Sequence, residues 1–187
     1  MRRLSLLLAS LGCLSVAACS STSDPASGKD AGGGGMEAGP DCAAFESDAD
    51  LVSPTVSFTT DVLPTFQRSC GIAGSTCHGA PDEMASQQRP YLGLFDGGTD
   101  GAVVISGIVG VNSFEDPQAI IVKASDPTDS YMMHKLDGDQ CLLATQCAKG
   151  TSQYPTCGTQ MPFESGSLPQ LELDNIRRWI AQGAKNN

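Results

Sequence analysis

The stretch CGIAGSTCHG, Cys70 to Gly79, places a thiol at each end of a glycine-containing run and an imidazole directly after the second thiol. These groups support two chemistries. Two thiols that add across the vinyl groups of a haem fix the ring covalently, and the adjacent histidine reaches the iron from the same side. Alternatively, the thiols close a small disulfide loop that happens to precede a histidine. Spacing bears on the choice, because the C-x-x-C-H attachment pattern has two residues between its cysteines and this stretch has six. The excess is about one helical turn, roughly 6 Å if helical. Gly71, Gly74 and Ser75 let it bulge outward, since glycine tolerates tight reversals. Attachment through Cys77 alone is a third arrangement.

Such groups act only if helices and loops hold them. In TDVLPTFQRSC, Thr60 reads as the cap of a first helix with Pro64 in its first turn, and Val62, Leu63, Phe66 and Cys70 fall at helical spacing. GAVVISGIVGV is apolar and β-branched, readable as helix or strand, and QAIIVK reads as a short extended piece. In SDPTDSYMMHKLDG, Asp126 is an N-cap, Pro127 the first helical position, and Tyr131 to Leu136 a short helix ended by Gly138. DQCLLATQCAKGTSQYPTCGTQMP reads as a loop with three cysteines. SLPQLELDNIRRWIAQGA is the clearest helix: Leu173, Ile176 and Ile180 form a stripe, Trp179 lies beside it, and Arg177 and Arg178 sit toward the negative end. The expected fold class is mostly α, a small helical domain with long disulfide-stapled loops. Such loops need a central organiser, either disulfides or a haem.

The N-terminus reads as an address. Arg2 and Arg3 precede an apolar run, Leu4 to Ala18, too short to span a bilayer comfortably, so residues 1–18 are expected to be a signal peptide. VAAC, ending at Cys19, resembles a bacterial lipobox, which implies cleavage before Cys19 and a diacylglycerol on its sulfur. Residues 19–54 would then be a lipidated flexible tether, rich in Ser, Gly and Asp, and 55–187 the folded domain. The expected location is exported, on the periplasmic face or the outer membrane. The whole chain carries a net charge of −10; without Arg2 and Arg3 it has 9 basic against 21 acidic residues, a net charge of −12. That repels phosphate backbones and argues against nucleic acid as a partner. Of eight cysteines, Cys13 leaves with the signal and Cys19 takes lipid, which leaves an even six in an oxidising compartment.

The order of signals resembles the cytochrome c-like domains of secreted bacterial lipoproteins. The matching residues are Asp61, Val62, Pro64 and Phe66, then Cys70, Cys77, His78 and Gly79. Asp126, Pro127, Ser130, Tyr131, His134, Lys135 and Leu136 follow, then Met161 and Pro162, and last Ile176, Trp179, Ile180, Gly183 and Ala184. The departure is the six-residue gap. The resemblance implies one covalent haem c held by Cys70 and Cys77, with iron ligated axially by His78 and Met161. A thioether there would raise the reduction potential. It also implies that the last helix packs across the first, burying Trp179 near Phe66. Met132, Met133 and His134 compete as distal ligands, although packing is their ordinary role. If haem takes Cys70 and Cys77, then Cys42, Cys141, Cys147 and Cys157 make two disulfides; without haem, six cysteines allow three bridges in fifteen pairings. A zinc site is disfavoured by the irregular spacings. The expected function is a lipid-anchored, haem-binding electron carrier with redox-protein partners, and not an enzyme. The alternative is a haem-free, disulfide-stabilised binding or accessory module of the same fold.

Overall fold

The chain turns helical where a cap and an apolar spacing coincide. A computed structural model describes residues 42–71, 78–79, 90–95, 97–147, 157–163 and 166–187. The leader, Cys19, residues 20–41 and Cys77 lie outside the described residues. A single π-helical turn, Phe58–Val62, opens the first helical stretch and continues into α1, Leu63–Ser69, with Pro64 in its first turn. The cap is Ser57, not Thr60: its hydroxyl accepts from the Thr60 amide at 3.4 Å, and Asp61 accepts from the Ser57 amide at 2.8 Å. This reciprocal arrangement starts the helix one residue after Ser57 and makes Thr60 part of its first turn. Val62, Leu63, Phe66 and Cys70 are buried, as their spacing requires.

GAVVISGIVGV resolves into α2, Gly101–Ile108, capped by Asp100, whose carboxylate accepts from the Ala102 amide at 2.9 Å. Val104 and Ile108, one turn apart, face the core, so tertiary burial overrides the β-preference of the branched side chains. The chain then leaves the helix. Isolated bridges pair Val109 with Val122 and Ile120 with both Asn112 and Ser130. QAIIVK is therefore extended, but among the described residues no strand ladder forms.

Asp126 caps a 3-10 turn, Pro127–Asp129, and α3, Tyr131–Asp137, follows, closed by Gly138 in the left-handed region. The stretch after it is not a plain loop. Gln140–Leu143 forms a 3-10 turn and Ala144–Cys147 a single helical turn, α4. Two disulfides anchor this region, Cys42–Cys141 and Cys147–Cys157. The last helix, α5, Gln170–Ala181, buries Leu173, Ile176, Trp179 and Ile180.

One main apolar cluster gathers α1, α2, α3 and α5. At its centre the Trp179 ring lies 4.9 Å from Phe58 and 6.4 Å from Phe66, the latter edge-on. The expected Trp179–Phe66 burial is present. Trp179 Nε1 donates to the Lys185 carbonyl at 2.9 Å, which satisfies the indole and folds back the C-terminus. The segment from Cys42 to Pro54 is tied down as well. Arg178 Nε donates to the Asp50 carbonyl, and the Gln182 amide donates to Leu51, Val52 and Pro54 carbonyls. The described part is mostly helical with two disulfides, and none of its helices is long and apolar enough to cross a membrane.

Candidate functional site

Two backbone segments, the end of α1 and residues 90–92, converge on His78. Its amide donates to the Cys70 carbonyl at 2.8 Å, and its own carbonyl accepts from the Leu92 amide at 2.9 Å. Its ring Nδ1 lies 2.7 Å from the Pro90 carbonyl. A carbonyl oxygen only accepts, so Nδ1 carries the hydrogen and Nε2 is the basic nitrogen. Histidines that bind metals are commonly held by such a bond from one ring nitrogen to a carbonyl. The tautomer follows from a hydrogen bond to backbone, which no residue type in the sequence announces.

The same segments explain Gly71. Its amide donates to Phe66 and its carbonyl accepts from Phe95. A Cβ on Gly71 would sit 2.3 Å from the Gly93 carbonyl oxygen and 2.8 Å from that of Gln67, so only glycine fits where the chain leaves α1. Gly71, expected to let the chain bulge, instead allows the close approach of two backbones. Cys70 is buried in the main cluster and closes α1, while Cys77, the expected second tether, lies outside the described residues.

Met161 is partly buried and packs against the main cluster, to which Cys70 and Leu92 also belong. Its amide donates to the Lys135 carbonyl at 2.8 Å, and its peptide bond to Pro162 is cis. The competing distal ligands are engaged elsewhere. Met132 and Met133 are core side chains. His134 Nδ1 pairs with Asp139 Oδ1 at 2.7 Å. This hydrogen bond, outweighing burial, raises the His134 pKa and favours an imidazolium, which does not ligate a metal. Among the described residues no group of three or more His, Cys, Asp and Glu could hold a metal ion, and Cys42, Cys141, Cys147 and Cys157 are joined as disulfides. A surface depression of about 180 Å³ beside Val52, Val56 and Trp179 is lined by none of these residues.

The His134–Asp139 pair has a pH signature. Burial pushes the Asp139 carboxyl up, but hydrogen bonds from His134 and the Phe45 amide outweigh it, and the net shift is downward. A raised histidine stabilises the fold below its unfolded pKa and stops doing so as pH rises through the folded one. A lowered aspartate stabilises above its unfolded pKa and stops as pH falls through the folded one. The pair therefore contributes most between ~pH 4 and ~pH 6.5. His134→Gln is expected to lower the urea midpoint most near the acid end of a pH 5 to 9 series, at about pH 5, and progressively less above the raised histidine pKa. A deficit constant across the series would remove the electrostatic role.

Other working residues left no clear mark in the sequence. Arg177, read there as a helix-end cation, is buried and pairs with Asp137 at 2.6 Å and Asp174 at 3.1 Å. Lys135 is buried too, with its amine 3.2 Å from Glu115 and 2.6 Å from the Cys157 carbonyl. Asp137, 40 residues from Arg177, and Glu115, 20 residues from Lys135, give no local signal for either. Set against protein-family models, curated proteins and solved structures, the chain matches none of them.

Proposed function

We propose that the protein is an exported, lipid-anchored cytochrome c-like electron carrier, with one haem tethered by Cys70 and Cys77 and its iron held between His78 and Met161. The observation that carries this reading is the His78 ring: its Nδ1 lies 2.7 Å from the Pro90 carbonyl and donates to it, the orientation that haem- and metal-ligating histidines take. The backbone bonds to Cys70 and Leu92 fix the imidazole's base before any ligand arrives. The haem would supply the one-electron couple, and the chain would supply its attachment, axial ligands and surroundings. Support also comes from the cysteine pairing. The four cysteines expected to form disulfides in a haem-bearing chain are joined to one another, Cys42 to Cys141 and Cys147 to Cys157.

The six-residue gap is compatible with this role. His78 returns to the Cys70 carbonyl, so the intervening residues need not displace the histidine from the end of α1. The acidic net charge suits a basic redox partner, and Cys19 would provide the membrane tether.

Haem staining of a denaturing gel decides the matter, after the full chain is expressed with a haem-attachment system in an exporting host. Covalent haem with a reduced-minus-oxidised difference spectrum is expected, and His78→Ala should abolish that axial ligation. A protein without covalent haem, in which peptide mapping finds a Cys70–Cys77 bridge, overturns the carrier and leaves the haem-free accessory module.

A further inference from the structure

The segment that bears Met161 is held from beneath by one buried side chain. Lys135, on α3, touches the segment at two points. Its Nζ donates to the Cys157 carbonyl at 2.6 Å, and its backbone carbonyl accepts from the Met161 amide at 2.8 Å. The side chain is only 9% exposed. Glu115 Oε2 balances its charge at 3.2 Å and also accepts from the Tyr131 hydroxyl, which lies 3.3 Å from the same Cys157 carbonyl. Gly158 closes over this group. A Cβ there would meet Glu115 Oε1 and Lys135 Nζ, each at 2.9 Å, and its φ of +69° also calls for glycine. Gln160 adds a further point by donating to the Leu136 carbonyl at 3.0 Å.

A desolvated ion pair is a weak source of stability compared with apolar side chains. What it does provide is register. A donor that meets the Cys157 carbonyl, while its own backbone meets an amide four residues further on, constrains the 157–161 segment on α3 beyond the point where the Cys147–Cys157 disulfide pins it. We propose that Lys135, supported by Glu115 and Tyr131, is the positioning residue for Met161, fixing the segment so that the thioether is presented at one place. This rests on the reading of Met161 as the distal iron ligand.

The test uses the full chain and two readouts. The first needs no haem: hydrogen–deuterium exchange across residues 157–163. Lys135→Met keeps the length and apolar stem but removes the donor. It is expected to speed exchange at Met161 about tenfold or more, the equivalent of one charged hydrogen bond, while amides in α5 keep their protection. The second uses haem-loaded protein and imidazole as a probe of the ferric iron. Lys135→Met is expected to tighten imidazole binding about tenfold, with Tyr131→Phe giving a smaller change in the same direction. Should Lys135→Met fail to fold, Tyr131→Phe and Glu115→Gln carry both readouts.

The outcomes separate. Absence of covalent haem in the unmodified protein overturns the carrier reading, and the exchange experiment still decides whether Lys135 holds the segment. If Met161→Ala leaves imidazole affinity unchanged, Met161 is not the ligand and the positioning role falls with it. If Met161→Ala tightens imidazole but the Lys135 and Tyr131 variants do not, or if exchange at Met161 is unaltered, only the positioning role is overturned.

Discussion

Replacing Arg177 by alanine is expected to lower the unfolding free energy by about 3–5 kcal/mol, the usual cost of stranding a buried charge. The guanidinium is 6% exposed and the Asp137 carboxylate it faces 8%, at 2.6 Å. Deleting the cation leaves that carboxylate without its main partner in a site with little water. The loss should depend on pH in a definite sense. Burial already raises the Asp137 pKa, with Arg177 pulling it back down. Without Arg177 the pKa rises further, so the folded variant takes up a proton that the unfolded chain releases. Stability of the variant then falls as pH rises through that shifted value, and the deficit narrows on acidification. Arg177→Met, which removes the charge but keeps the stem, should retain the packing over Phe45, whose ring centroid lies 4.9 Å from the guanidinium carbon, while still stranding Asp137. Denaturant midpoints at neutral and mildly acid pH check this. Equal losses at both would show that packing, not the ion pair, carries the effect.

Removing the Cys42–Cys141 bridge is expected to cost more than removing Cys147–Cys157. The first closes a sequence separation of 99, the second one of 10. Loop-closure entropy in the unfolded chain then gives about 4–5 kcal/mol for the long loop and about 2–3 kcal/mol for the short one. The long bridge also acts locally. It seats the chain beside Asp139, whose carboxylate accepts from the Phe45 amide at 3.0 Å, and so beside the His134 pair. Paired cysteine-to-alanine variants, compared by guanidinium unfolding of otherwise oxidised protein, measure both numbers. A larger loss from the short bridge would place the stabilisation in the folded state near Tyr131, rather than in the unfolded chain.

Local signals in the sequence were the ones that translated into structure. Asp126 followed by Pro127, and Gly138 after α3, mark their turns because caps act within a single helical turn. The Leu173, Ile176 and Ile180 stripe reads correctly because burial of one helical face imposes that period. Thr60 is not the cap that its local sequence suggests, for the same reason in reverse. Ser57 and Asp61 cap each other just upstream, and a neighbouring hydroxyl looks equally suitable on paper. The cysteine-bearing stretch after α3 was expected to be a loop. Its 3-10 and helical turns form where Gln140 and Cys147 are drawn inward, and local propensity alone does not show that.

Short-range patterns in the sequence mark α1, α3 and α5, their apolar stripes, the acidic balance and the groups with chemical potential, Cys70, Cys77, His78 and Met161, but not α2 or the helical turns at 140–147. Each marked feature is a property of residue types at short spacing. Only the fold settles that Cys42 pairs with Cys141 and Cys147 with Cys157, that the His78 ring rests its Nδ1 on the Pro90 carbonyl, and that Arg177 and Lys135 turn inward to meet Asp137 and Glu115. The physical reason is the same in each case. These contacts join residues ten or more positions apart, often through a backbone carbonyl that every residue possesses, so no local pattern of side chains encodes them.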